Sequence, residues 1–374
     1  MAVPSHRFSR RSLLAATVLA SRALADGTSA GKGEAFESAW RRYTDPATEL
    51  DVYRLTEPSD SSTLPMFSNR VISRNSGLLL YCCDRGGSPQ AFRMDLKTGA
   101  TRRLTDRAEL DGSSLNWTPD SRAFAYFAGR TLYLGNLATL KEREVYTIPE
   151  GWERSAGLTI TADGAHALCA EHRGDAGRIR LTELARGAAR TVVETPSAVV
   201  SSLERPLRSQ ILYRDAAQGV WLVDSDGRHN RRLKLAGGGI GPLNWAADGR
   251  TLLYLNFPED PRQLTAIREH TPDDESDKLV APTSQYAHFG FNRDTSVFVG
   301  ASRNKASPVI LILLRVTRRE LTLCEHKATH PETVAPMFSP DAQRIYFQSD
   351  RDGKPALYAL HVEKLVEKIE TEKE

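Results

Sequence analysis

The chain has 374 residues, of which 40% are apolar, with 26 glycines and 19 prolines and a formal charge of +3 spread along its length. This supports a sizeable core and many turns, and it lacks the clustered Lys and Arg by which nucleic-acid binders are recognised, so nucleic acid is excluded as a partner. Beyond the N-terminus no stretch approaches the roughly 20 apolar residues that a membrane span needs, which excludes membrane insertion of the processed chain.

Residues 1–25 read as an export signal. Arg7, Arg10 and Arg11 supply a charged start, Leu13 to Ala20 a short apolar run, and Ala23-Leu24-Ala25 a small-x-small cleavage site. Ser9-Arg10-Arg11-Ser12-Leu13-Leu14 also has the form of a twin-arginine signal, which carries folded proteins across the bacterial inner membrane. The expected location is therefore periplasmic or secreted. Residues 26–44 read as a linker, 45–361 as one domain, and 362–374 as a charged tail forming a short surface helix.

Within 45–361 one phrase recurs: an apolar strand, a turn holding Asp or Asn beside a small residue, and a second apolar strand. Its anchors are Asn75, Asp120, Asp163, Asp248, Asp294 and Asp341, spaced about 43 to 47 residues apart with one double interval. The missing copy falls at Glu204-Arg205-Pro206-Leu207, before the strand Gln210 to Tyr213, which makes seven units. Short strands at this period, four to a unit, predict an all-β chain folded as a seven-bladed β-propeller. The last unit has no fourth strand of its own. Asp51 to Thr56 matches the closing strand Thr101 to Thr105 in type, so the N-terminal strand is expected to complete the last blade and close the ring.

The four cysteines, Cys82, Cys83, Cys169 and Cys324, sit in apolar runs and read as small buried hydrophobes rather than a disulfide framework or a zinc site. His172, His229 and His270 fall in turns or outer strands and read as surface. His288 lies in an apolar strand, where a core imidazole bonded to a backbone carbonyl is the alternative to a ligand. His330, before Pro331, is either a ligand or a solvated loop residue.

Several phrases resemble those of oligogalacturonate lyases. His330-Pro331, Phe338-Ser339-Pro340-Asp341, Tyr346-Phe347-Gln348-Ser349-Asp350 and Gly353 are similar to their last blade. Trp221-Leu222-Val223-Asp224 and Asn244-Trp245-Ala246-Ala247-Asp248-Gly249 are similar to their fourth and fifth. Tyr286-Ala287-His288-Phe289 is similar to their sixth, and Asp45-Pro46 leading into Val52 to their N-terminus. The resemblance implies a seven-bladed propeller that cleaves small pectin-derived uronate oligosaccharides by β-elimination. It also implies a divalent metal, typically manganese, on the substrate carboxylate, with a small acidic oligosaccharide as the partner.

In the family a blade-6 His and a Gln-x-x-His-Pro-His stretch hold the metal, and a blade-5 His and a blade-4 Arg serve proton abstraction. Carried over by position, this makes His288 a metal ligand, with His330 and His326 as further candidates, and Arg214 the blade-4 basic residue. Pro242 stands where the blade-5 His is expected and Ala335 where the last metal His is expected. Lys327 and Glu332 replace the Gln and the second His. Lys327, beside His326 and His330, is thus expected either to take the cation's place against a substrate carboxylate, with no metal needed, or to leave the site short of ligands. The rival reading is a non-catalytic envelope propeller that binds a protein or a glycan, by analogy with the Tol system.

Overall fold

The structure, a computed structural model, describes residues 31–363. The stretch read as an export signal and most of the charged tail lie outside the described residues. The seven sheets form a ring of blades, with the inner strands lining a central channel. Blade 6 shows the plan: Tyr286–Phe291 innermost, then Val297–Ser302, Val309–Leu314 and Arg319–Glu325, each antiparallel to the one before.

The recurrent anchor explains itself in local hydrogen bonding. Asp120, Asp163, Asp248, Asp294 and Asp341 each accept from the backbone N–H two residues on, at 2.8–3.1 Å. Where a hydroxyl sits two residues before the anchor it completes the turn, as Thr118 does at 2.7 Å to Asp120 and Ser73 at 2.7 Å to Asn75. Aspartate and asparagine favour such turns because their short side chains can mimic a backbone acceptor. The fourth unit uses another solution. Arg205-Pro206-Leu207-Arg208 closes with Arg208 N–H donating to the Arg205 carbonyl at 3.3 Å, and Leu207 takes a positive φ of 59°. Proline followed by a left-handed residue is a type II turn, which is why this copy lacks the Asp or Asn anchor and shows only as a double interval.

The middle strands read as unbroken apolar runs, such as Val309–Leu314 (VILILL) and Leu78–Cys83 (LLLYCC). The reason is that both faces are buried, each against a different neighbour. Leu79, Tyr81 and Cys83 pack towards blade 7 with Tyr346 and Leu357, whereas Leu80 and Cys82 pack towards blade 2 with Trp117 and Phe124. The core is accordingly seven clusters, each lying between two adjacent blades. All four cysteines are buried and unpaired within these runs.

Ring closure is as expected. Asp51–Arg54 pairs antiparallel with Ala356–His361, with Val52 opposite Leu360, and Val52 is fully buried in the cluster between blades 6 and 7. The stretch expected as a linker carries strands in its second half. Arg41–Thr44 adds a fifth strand outside Asp51–Arg54, and Ala35–Phe36 pairs with Thr101–Arg103 of blade 1. Both cover strand edges that would otherwise be open to pairing with another chain. His270, expected at the surface, is fully buried in blade 5, with Nδ1 3.7 Å from the Asp277 carboxylate. Its strand, Ala266–Thr271, is flanked on both sides, so an outer-strand reading of the sequence misplaced it.

Candidate active site

The inner strands of blades 4, 5 and 6 each slip register as they enter the channel. The shifts fall between Val199 and Ser201, between Ile240 and Leu243, and between Tyr286 and His288. Such bulges re-aim the side chains around them. They also account for Pro242, because a bulged residue has no ladder partner and a missing N–H costs little there. Pro242 therefore stands in the pocket wall without a proton-accepting group.

Around these bulges lies an open cavity of about 630 Å³ lined by Phe67, Arg214, Gly241, Pro242, Phe257, Ala287, His288, Arg303 and Glu332. Arg214, next to last in the second strand of blade 4, is half-buried. Its two terminal nitrogens donate to the Gly241 and Ile240 carbonyls at 3.1 and 2.9 Å and to Gln218 Oε1 at 2.9 Å, and its Nε has no partner. Burial pulls its guanidinium below the usual arginine value. The bulge carbonyls thus fix Arg214 against the wall.

His288 is 5% exposed, and its Nδ1 is buried without a hydrogen-bond partner. Burial lowers its imidazole to about 4, opposed only by the nearby Phe289 backbone. The ring is therefore neutral at physiological pH. The alternative of a core histidine held by a carbonyl leaves that nitrogen unexplained. Phe67 meets the ring edge-on, with centroids 4.8 Å apart. Phe67 comes from residues 64–70, which separate Ser62–Thr63 from the Ile72–Leu79 bridge in blade 1. Beyond this aromatic pair lies a second cavity of about 620 Å³, lined by Trp117, Phe289, Phe291 and Arg70 among others. The two cavities share only Phe67 and His288, so this pair is the septum of the channel.

Arg303 stands just past the second strand of blade 6, exposed at the cavity. Its guanidinium lies 4.4 Å above the Phe257 ring and donates to the Tyr286 carbonyl at 3.2 Å. Burial draws it down, and the Glu332 charge nearby opposes this.

Of the residues singled out in the sequence, the cavity brings together Arg214 and His288. The other three are corrected. His326 is fully buried with both ring nitrogens engaged: Nε2 is 3.0 Å from the Ser302 carbonyl and Nδ1 accepts from Ala328 N–H at 3.0 Å. It is a structural histidine with no lone pair left for a metal. Lys327 is not at the cavity; it pairs with Glu325 at 2.7 Å, a carboxylate two residues away. His330 is mostly exposed, caps the short 3-10 turn Pro331–Thr333, and lies 3.3 Å from Glu332 Oε1. The metal-type side chains lining the cavity are only His288 and Glu332, and among the described residues no three or more His, Cys, Asp or Glu groups are arranged to hold an ion.

Sequence reasoning missed Arg303 and Phe67. Arg303 carried no periodic signal: Asp215 and Ser302 hold the same register in their blades, so Ala301 is the counterpart of Arg214 and Arg303 lies two positions further along. Phe67 lay outside the repeated phrase, in the stretch between Ser62–Thr63 and the Ile72–Leu79 bridge.

The fold and this cavity define a seven-bladed propeller with a basic, imidazole-bearing pocket at one mouth of its channel. A family model described as oligogalacturonate lyase matches residues 30–176. The chain is 22% identical over 386 residues to the oligogalacturonide lyase of Pectobacterium atrosepticum, covering 88% of this chain and 98% of that protein. It matches the oligogalacturonate lyase of Dickeya dadantii at the same identity and coverage, 22%, 88% and 98%. Among solved structures, an oligogalacturonate lyase in complex with manganese superposes with a TM-score of 0.83 at 23% identity, covering 88% of this chain and 98% of that one. An oligogalacturonate lyase from Vibrio parahaemolyticus also gives 0.83, at 20% identity over 89% and 99%. The chain is thus similar to the oligogalacturonate lyases over most of its length, the same likeness that its blade phrases carry.

Proposed function

We propose that the protein is an oligogalacturonate lyase-type enzyme that cleaves a small pectin-derived uronate oligosaccharide, or a related acidic sugar, by β-elimination. The observation that carries this is the convergence of Arg214 and an uncharged His288 on one cavity, on the two blades where the family likeness puts its arginine and a histidine. Arg214, fixed by the bulge carbonyls, presents positive charge to a uronate carboxylate. His288 is the imidazole able to accept the C5 proton. The C5–H electrons then form the C4–C5 double bond, the C4–O bond breaks, and the departing sugar oxygen takes a proton from water. A base near pKa 4 is weak, so turnover is expected to be slow compared with a base poised near neutrality.

One solved relative is a manganese complex. The residues here do not fit such an ion, since one imidazole and one carboxylate fall short of the three or four ligands that a site requires.

The test is the ultraviolet absorbance of the conjugated unsaturated uronate with di- and trigalacturonate, across pH and with manganese added. A signal that disappears in His288→Ala supports the lyase. No signal under any condition rejects it in favour of the second reading, a propeller that only binds a glycan or a protein. Pro242 in place of a base is the feature that favours that reading. We further infer an extracytoplasmic site of action from residues 1–25; N-terminal sequencing of exported protein beginning after Ala25 would bear this out.

A further inference from the structure

We propose that Arg303 takes the place of a divalent cation in this cavity, so that the acidic sugar is held between Arg303 and Arg214 without metal. This rests on the uronate reading above and goes beyond it by assigning the charge that holds the carboxylate.

Three observations carry it. First, the ligand set fails, with His288 and Glu332 as the only metal-type side chains lining the cavity and His326 consumed by Ser302 and Ala328. Second, two guanidinium cations face the same cavity against one carboxylate, a field that repels a dication and attracts an anionic sugar. Third, Arg303 is held for the task. Its plane rests on Phe257 and one donor is tied to the Tyr286 carbonyl, which leaves other donors of the guanidinium fork turned to the cavity. A fork fixed in this way matches a carboxylate in two hydrogen bonds, which Lys cannot reproduce. Tyr286 is the inner-strand residue just before the bulge that aims His288, so the same strand positions the carboxylate binder and the imidazole. Lys327, the residue that the sequence offered for this role, is ion-paired to Glu325 and does not line the cavity.

The experiment is calorimetric titration of the full chain with digalacturonate, in EDTA and again with manganese(II), alongside the electron paramagnetic resonance signal of free manganese(II) titrated with protein. The expected result is equal affinity in both buffers and a manganese signal that the protein leaves unchanged. Arg303→Gln should raise Kd at least about tenfold, and Arg303→Lys should recover only part of that, since a charged bidentate contact is lost or reduced to a point charge. Lys327→Ala should bind as the wild type. Because Arg303 is exposed, these variants are expected to fold, and their thermal transitions serve as the check. Binding that requires manganese, depletion of the free manganese signal, an Arg303→Gln variant of wild-type affinity, or no binding in either buffer would each overturn the proposal. Binding with this pattern but no elimination product would instead sink the lyase reading and leave the role of Arg303 intact. Elimination seen only with added manganese would do the reverse.

Discussion

The buried imidazole of His288 gives a stability signature that can be isolated from every other titration in the protein. In the unfolded chain it takes its proton near 6.5, and in the fold only near 4, because the charged form would lie against Phe67 with no partner for Nδ1. Between those values the unfolded state binds more protons than the folded one, so stability falls as pH drops through the window. The interval from 6.5 to about 4 corresponds to about 3 kcal/mol, all of it lost by the time pH reaches the folded value. His270 and His326 are drawn down by burial too, and several anchor aspartates titrate at the acid end. The measurement is therefore a difference between wild type and His288→Gln, in urea unfolding curves from neutral pH down to about 4, with the His288 ring followed by NMR. The wild type should lose about 3 kcal/mol more than the variant across this range. Parallel stability curves, or a ring that titrates near 6.5 in the folded protein, would refute the claim that burial holds His288 neutral.

Three other perturbations test neighbouring parts of the argument. Phe67→Ala should join the two cavities and admit water to His288, moving its NMR titration midpoint from about 4 towards 6.5; an unmoved midpoint means that Phe67 is not the septum. Leu207→Gly relieves a left-handed leucine that is 81% exposed and so has little packing to lose, and should raise stability by about 0.5–1 kcal/mol in urea. Arg205→Met removes a guanidinium only 1% exposed that bonds to both Asp273 oxygens at 3.0 and 2.9 Å and to the Gly249 carbonyl at 2.6 Å. It should cost about 3 kcal/mol, the low end for a broken buried pair because Asp273 stays half exposed, read from the same urea curves.

The seven units, their phase and the strand borrowed from the N-terminus were all legible in the amino-acid sequence. The reason is that a turn anchor such as Asp163 acts on a residue two positions away, and an apolar run such as Val309–Leu314 reports burial on both faces of one strand. These are local matters, repeated often enough to be read by spacing. The same locality explains the one unit that lacks the anchor and was placed by spacing alone, where Pro206-Leu207 builds a type II turn instead. Phe67, in contrast, lies outside the repeated phrase, between Ser62–Thr63 and the Ile72–Leu79 bridge, and meets His288 only through the closed ring.

The site was only half legible, for the opposite reason. Its members come from blades 1, 4, 5, 6 and 7, and which of them meet depends on the closure of the ring and on three register shifts. Sequence order put Lys327, His326 and His330 together as a cluster. The fold gave Lys327 to Glu325, closed both nitrogens of His326 and left His330 mostly in solvent. It brought Arg303 to the pocket instead, 89 positions along the chain from Arg214 yet lining the same cavity. The sequence by itself determined the propeller, because hairpin turns and two-sided burial are written within a few residues. Only the tertiary structure decided which charges face the channel, because that depends on contacts between blades far apart in the chain.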